Sequence, residues 1–257
     1  MIAAFDFPLD CVYKEIMHSR VLIVFLQEPI AGQVKLQLAK SCGDEEANTI
    51  YQSLVAVQLR QLKGLENCDI RFCYAPADAH DSIKFWILPQ LENLQVIDDH
   101  SWHWPQSSSQ LKISFHPQAE LDFDHVVNHA LTDAFTDGYD EVAVMTSDCP
   151  MCGSRWVQLA FSMLQKHELS IGPTPAGGCH LVATKKAPNI SPAITWDSCE
   201  QTADAARLAG YKHALLPELA EVSEFSDWEI ILESPLGAAL IKAHKNLSGR
   251  DHPLPLP

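Results

Sequence analysis

Val21-Leu22-Ile23-Val24-Phe25-Leu26 is six apolar residues in a row, with Arg20 before it and Gln27 after it. A strand that meets water on one face alternates apolar and polar side chains, whereas a strand covered on both faces has no such constraint. The run therefore reads as the central strand of a sheet held between helices. Glu141 to Thr146 has the same character. Further strand-like segments run from Ile70 to Ala75, ending at Pro76, and from Leu94 to Ile97, Leu169 to Ile171, Cys179 to Thr184 and Tyr211 to Leu216. Between them lie segments of helical spacing. Ala47 to Leu62 carries Ile50, Leu54, Val57 and Leu62, with Asp44 as its cap. Others span Asp78 to Leu88, Phe123 to Phe135 and Ser154 to His167. Ser198 with Gln201 forms a capping-box pattern that opens a helix to Ala209. Ser226 caps a terminal helical region interrupted at Pro235.

Strands alternating with helices predict an α/β fold: a single-domain three-layer α/β/α sandwich with a mostly parallel sheet and right-handed crossovers. No repeat and no linker divides the chain. The expected organisation is an extension over 1–19, the domain over 20–247 and a disordered, Pro-rich tail over 248–257. The periodic pattern stops between Asp98 and Gln118, where Trp102, Trp104, Pro105 and three consecutive serines suggest a surface loop or a short hairpin through Leu111 to Phe115. A loop of this length inside a compact domain is usually functional or mobile.

The chain has 257 residues, 47% of them hydrophobic, enough for a sizeable core. Its 33 acidic and 18 basic side chains give a formal net charge of -15. Non-specific binding to nucleic acid or anionic membranes needs a basic face, so neither is expected. A phosphorylated ligand stays compatible, because one Lys or a divalent cation reverses the field inside a pocket. No segment has the roughly 20 apolar residues of a membrane span. Residues 1–20 lack the pattern of a secretory signal. The eight cysteines are scattered, several in strand-like runs such as Arg71-Phe72-Cys73-Tyr74. That pattern reads as buried free thiols in a reducing cytoplasm. Oligomeric state is not legible.

Ligands of such sheets bind beyond the carboxyl ends of the strands. Two loops stand at such ends. Gly32-Gln33-Val34-Lys35 combines a Gly, which lets backbone amides approach a phosphate, with a point charge at Lys35. The same residues also read as a turn and a solvated Lys. Thr146-Ser147-Asp148-Cys149-Pro150 places an acid where a divalent cation bridging a diphosphate would sit, or where a carboxylate bonds turn amides. A third element, Gly172 to His180, holds Gly177-Gly178 before a strand; it suits close approach of a ligand or a simple hairpin.

Three other groupings compete. Cys149-Pro150-Met151-Cys152 is a Cys-x-x-Cys between strand and helix, where a dithiol oxidoreductase would need a depressed pKa; Cys179 and His180 are the nearest candidates to complete a zinc site. His125 and His129, four apart on a helix with Asp122 nearby, can bind a metal or form a solvated face. His100 and His103 among Trp102 and Trp104 can stack on a sugar or base, or pack at the core edge.

Taken in order, the three loops resemble a bacterial glycosyltransferase-like family, the selenodomain-associated transferases, a domain-of-unknown-function group with the glycosyltransferase-A fold. Its members open with Pro-x-x-Gly-Arg-Val-Lys-Thr-Arg-Leu, where this chain has Pro29-Ile30-Ala31-Gly32-Gln33-Val34-Lys35-Leu36-Gln37-Leu38. They carry Gly-Ser-Asp-x-Pro, here Thr146 to Pro150, and Gly-Pro-x-x-Asp-Gly-Gly-Tyr, here Gly172 to Cys179. A later Trp-Ser-Thr resembles Trp196-Asp197-Ser198. The likeness runs from about Val21 to Leu232.

The resemblance implies a nucleotide-diphospho-sugar transferase fold and a nucleotide-activated donor, with a nucleotide or nucleotide sugar as partner. It implies Gly32, Lys35 and Ser147 on the donor phosphates, and Asp148 as the catalytic position and as holder of Mg²⁺ or Mn²⁺. Gly177, Gly178 and Trp196 would lie on the acceptor side. The chain departs from the pattern at Gln33 and Gln37, where members have Arg, and at Ala176, where they have Asp. It departs again over Gln118 to His125 and at Glu221-Val222-Ser223-Glu224, which stands for Asp-Val-Asp-Thr. Each lost Arg removes charge-assisted phosphate contacts worth about 1.5–3 kcal/mol. The expectation is therefore a glycosyl- or nucleotidyltransferase-like protein with eroded phosphate and metal positions. The alternative is a non-catalytic relative that binds a nucleotide, a metabolite or a protein. Asp197 and Asp227 are candidates to replace the missing acid.

Overall fold

The computed structural model describes residues 19–95, 112–186 and 194–249. Among these residues, seven strands form one sheet. They are β1 (Arg20–Gln27), β2 (Asp69–Ala75), β3 (Ile113–Pro117), β4 (Glu141–Thr146), β5 (Leu169–Pro173), β6 (Cys179–Lys185) and β7 (His213–Leu215), in the spatial order β3-β2-β1-β4-β6-β5-β7. The pairs β1–β2, β1–β4, β2–β3 and β5–β7 are parallel, and only β6 runs against its neighbours. Residues 21–26 of β1 are all buried, as an apolar run covered on both faces requires.

Among the described residues, eight helices surround the sheet: α1 (Leu36–Cys42), α2 (Asp44–Gln61), α3 (His80–Gln95), α4 (Phe123–Thr136), α5 (Ser154–Met163), α6 (Cys199–Leu208), α7 (Phe225–Leu232) and α8 (Gly237–Ser248). One face of the sheet packs Leu22, Val24 and Leu26 against Val55 and Leu59 of α2, Ile83 and Ile87 of α3, and Val157 and Phe161 of α5. The other face packs Val21, Ile23 and Phe25 against Val127 and Leu131 of α4 and Ala203 and Ala206 of α6. The three-layer α/β/α sandwich is thus as expected. Beyond it, Ile50, Leu54 and Val57 on the outer side of α2 pack with Trp228 of α7 and Leu240 of α8. Helix α2 is therefore buried on two sides.

Several expected boundaries change. The strand expected at Leu94 to Ile97 is not one: residues 94 and 95 end α3, and 96–97 lie outside the described residues. Helix α3 runs through Pro89 instead of stopping before it, because Ile87 and Leu91 are both buried in the first core and carry the helix onward. The third strand is Ile113–Pro117, paired parallel with β2 rather than folded as a hairpin. Asp44 is the first residue of α2, and Gly43 is its cap. Ser198 caps α6 through the amide of Gln201, at 3.2 Å. Glu224, not Ser226, precedes α7, and Asp227 accepts the amides of Ser223 and Glu224 at 3.0 and 2.8 Å. The grouping of His100, Trp102, His103 and Trp104, residues 1–18 and the end of the tail lie outside the described residues. No helix among the described residues is long and apolar enough to cross a membrane.

Candidate functional site

After β1 the chain turns to one side for β2 and β3, then returns to the other side for β4. The strand order therefore reverses between β1 and β4, and a crevice opens beyond their carboxyl ends, where such sheets bind ligands. The loop after β1 (27–35) and the loop after β4 (147–153) form its two rims.

Helix α2 holds both rims. The Tyr51 hydroxyl accepts from the Gln27 amide at 2.9 Å and donates to the Gln27 carbonyl at 3.1 Å. Ser147, itself buried, donates its hydroxyl to the Tyr51 oxygen at 3.4 Å. Burial holds the Tyr51 phenol well above its ordinary pKa, so it works as a neutral brace. Gln58 donates from one amide nitrogen to the carbonyls of Thr146 at 2.9 Å and Cys149 at 3.0 Å.

Between the rims stands an ion pair. Lys35 Nζ lies 2.8 Å from Asp148 Oδ1 and donates to the Val222 carbonyl at 2.5 Å. The Lys35 side chain is 9% exposed and that of Asp148 35%. Lys35 has φ 50° and ψ 48°, the left-handed region that a side-chain-bearing residue seldom adopts. It leads directly into α1, and its contacts with Asp148 and Val222 hold that backbone in place. Gly32 also has a positive φ, 78°, and a Cβ there would sit 3.3 Å from the Asp44 carboxylate.

A third segment, 216–224, completes the crevice. The Val222 amide donates to the Asp148 carbonyl at 2.9 Å, and the Leu219 amide to the Pro173 carbonyl at 3.2 Å. Glu221 is the residue the sequence reading missed. Burial raises its carboxyl pKa, Asp148 raises it further, Lys35 lowers it, and Asp197 and Asp227 add smaller upward effects. The signal for it was its place opposite the first acid of the Asp-Val-Asp-Thr stretch in the family that the chain resembles, where Glu221 counted only as a departure. Asp227 is engaged through Oδ2 as the cap of α7.

Gly177, Gly178 and Trp196 do come together. Cys179 donates its amide to the Trp196 carbonyl at 2.8 Å, and Cys199 donates to the Gly177 carbonyl at 2.8 Å. A Cβ on Gly178 would meet the Trp196 carbonyl at 3.3 Å, so the approach of these backbones depends on glycine. The Trp196 ring, however, packs edge-on to Phe123 in the second core, with a centroid distance of 5.8 Å. Trp196 offers the turn its backbone and not its indole.

The competing groupings do not assemble. Cys149 and Cys152 are fully buried. Burial pushes the Cys149 thiol up to about 12 and the Cys152 thiol well above its usual value, the reverse of what a reactive dithiol needs. Iodoacetamide is expected to leave both unlabelled in the native protein and to label both in urea; stoichiometric native labelling would contradict this. His125 pairs with Asp122 at 2.7 Å and His129 with Asp133 at 3.1 Å, as separate exposed pairs instead of one metal site. His180 is buried with Nδ1 unpartnered and Nε2 3.3 Å from the Pro217 carbonyl. Among the described residues, no group of three or more His, Cys, Asp or Glu is arranged to hold a metal ion by itself.

Burial lowers the His180 pKa from 6.5 to about 4. Between those values the unfolded chain binds a proton that the folded chain does not, so stability falls as pH drops from 6.5 toward 4. The loss is at most roughly 3 kcal/mol. Urea unfolding at pH 7 and pH 4.5 should show this fall in the native sequence and a smaller one in His180→Gln.

Residues 58–198, more than half of the chain, match the model of a family described as "Uncharacterized protein conserved in bacteria (DUF2064)". No curated protein matches. Among solved structures, the chain is similar to a "putative nucleotide-diphospho-sugar transferase" from Desulfovibrio desulfuricans G20. The two share 25% identity over 91% of this chain and 98% of that one, with a TM-score of 0.68. It is also similar to a cytidylyltransferase from Leptospira borgpetersenii serovar Hardjo-bovis (strain JB197), at 12% identity over 93% and 98% of the two chains, TM-score 0.50. The fold is that of the nucleotide-diphospho-sugar transferases.

Proposed function

The chain belongs to this family of uncharacterized bacterial proteins, and from that premise we propose that it binds a nucleotide-activated donor in the β1/β4 crevice and transfers the sugar or nucleotidyl group that the donor carries. The observation that supports this reading is the convergence of Lys35 and Asp148, 113 positions apart in sequence, to 2.8 Å at the carboxyl ends of the two strands that flank the switch point.

In this reading the amides near Gly32 and the Lys35 ammonium receive the donor's phosphates. The Ser147 hydroxyl and the Tyr51 brace keep the two rims at fixed separation. Lys35 leaves Asp148 for the phosphates when the donor binds. Asp148 and Glu221 are hard oxygen donors close enough that ionised Asp148 raises the Glu221 carboxyl. Such a pair suits Mg²⁺ or Mn²⁺ once phosphate oxygens complete the shell. When bound, that cation supplies charge neutralisation of the diphosphate. The Gly177-Gly178 turn lies on the acceptor side, reached through the 216–224 segment. The protein acts by positioning and electrostatic stabilisation, not covalently.

A second reading, a relative that binds the donor without turning it over, is favoured by the Lys35–Asp148 pair itself, since each group satisfies the other before any ligand arrives. The losses at Gln33, Gln37 and Ala176 point the same way. Release of nucleoside diphosphate or pyrophosphate, assayed across nucleotide sugars and triphosphates with Mn²⁺, separates the two. Turnover that Asp148→Ala lowers at least a hundredfold supports transfer, and turnover unchanged in that variant overturns it.

A further inference from the structure

Seven of the cysteines lie among the described residues, all as free thiols. Two of them meet only because of the fold. The segments 177–179 and 196–199 run antiparallel past one another. The Cys179 amide donates to the Trp196 carbonyl and the Cys199 amide to the Gly177 carbonyl, both at 2.8 Å. There the two side chains face each other, joined by a hydrogen bond between their thiols. Cys179 is fully buried in the second core, and Cys199 packs at its edge, half-buried.

The Cys-x-x-Cys pair has no such opening, since Cys149 and Cys152 are both sealed. In the second pair one sulfur meets solvent and the other stands behind it. A redox-active pair needs this division: an accessible thiol that an oxidant reaches, and a neighbour that resolves the product. Cys199 is the first residue of α6, and the positive end of a helix favours a thiolate. Burial opposes it and holds the Cys199 thiol above its usual range; the hydrogen bond from Cys179 favours the thiolate, and Glu200 and Glu218 add to the opposition. Burial, and then Cys199 itself, push the Cys179 thiol higher still, so Cys179 is the member that keeps its proton and donates. Because the thiolate is the reacting species, the pair is slow near neutral pH and faster as pH rises.

We propose that Cys199 is a site of oxidation by hydrogen peroxide and that Cys179 captures the product as a reversible disulfide. The Cys199 thiolate attacks one peroxide oxygen and becomes a sulfenic acid, and the other oxygen leaves as water. The Cys179 sulfur then displaces the sulfenic hydroxyl, which leaves as a second water. In sum, two thiols and one peroxide give one disulfide and two waters, and the electron pair lost by the sulfurs reduces the peroxide. The bond ties the Gly177-Gly178 turn to the start of α6. The inference stands on the placing of the two thiols and does not rest on the donor reading.

The test is treatment of the native full chain with hydrogen peroxide, followed by blocking of the remaining thiols and mass spectrometry of the intact chain and its peptides. The chain should lose two hydrogens, a peptide link should join Cys179 to Cys199, and dithiothreitol should reverse both. The rate should rise about tenfold from pH 7 to pH 8, as it does for a thiol whose pKa lies above both. Cys199→Ser should abolish the loss of hydrogens. Cys179→Ala should leave Cys199 oxidised but unlinked, as a sulfenic acid that dimedone labels. Both variants are checked for native circular dichroism, and Cys199→Ser, at the half-buried position, carries the test if Cys179→Ala does not fold. The proposal is overturned by an unchanged mass after peroxide, by a link between any other pair of cysteines in its place, or by a loss of two hydrogens that persists in Cys199→Ser.

Discussion

Lys35→Met is expected to weaken binding of a nucleotide-activated donor by between tenfold and about a hundredfold, and to lower the protein's own stability by about 2 kcal/mol. The binding loss is that of one charge-assisted hydrogen bond to phosphate, about 1.5–3 kcal/mol. The stability loss has a separate origin. Lys35 ties three segments that are distant in sequence, through Asp148 on one rim and the Val222 carbonyl on the third segment. Met keeps the apolar stem and removes both contacts. The Asp148 side chain is 35% exposed, so water takes over part of the lost pairing and the cost stays below that of a fully buried ion. Lys35→Gly separates the two roles, because Gly relieves the left-handed backbone while still lacking the ammonium. It should recover stability relative to Met without recovering binding. Titration of a nucleotide sugar and urea unfolding, on the same three proteins, read out both quantities. Unchanged binding in Lys35→Met would remove Lys35 from the donor site.

Glu46→Ala should cost about 3–5 kcal/mol in urea unfolding, the largest effect expected on stability. Glu46 on α2 sits 2.8 Å from Nε2 of His244 on α8, and their side chains are 4% and 0% exposed. The ring stands beside Trp228 of α7, with 6.1 Å between centroids, so the pair lies inside the cluster that fixes α7 and α8 to α2. Removing one member of such a pair strands the other away from water. Replacing both by Leu should destabilise less than Glu46→Ala alone, because it strands neither. A single-variant loss under 1 kcal/mol would show that water reaches His244 and that the terminal helices are loosely attached. The same helices support the 216–224 segment through α7, so Glu46→Ala should also weaken donor binding.

The central strands were legible because the apolar runs at Val21–Leu26 and Glu141–Thr146 have a single physical reading: both faces are covered. The edge of the sheet was less so. Ile113-Ser114-Phe115-His116 does alternate, but it adjoins a polar stretch that hid it. Leu94-Gln95-Val96-Ile97 is too short for periodicity to assign to helix or strand. The helix expected over Asp78 to Leu88 continues through Pro89, because burial of Ile87 and Leu91 decides the outcome. The two loops of the crevice were found from their position after buried strands. That Lys35 and Asp148 would engage each other was not, since the pairing exists only once β1 and β4 lie side by side. Glu221 stood out in the sequence only as a departure from the family's acid, because its role comes from the Asp148 and Lys35 that surround it in space, and a single side chain in sequence does not carry that.

The most direct test of the account is thermal unfolding against a panel of nucleoside diphosphates, triphosphates and nucleotide sugars, with and without Mn²⁺. A ligand bound only by the folded state must raise the melting temperature. The account predicts a rise with at least one nucleotide that Mn²⁺ enlarges and that Asp148→Ala and Lys35→Met both reduce. No rise with any nucleotide, or a rise indifferent to both substitutions, would contradict a donor site between β1 and β4.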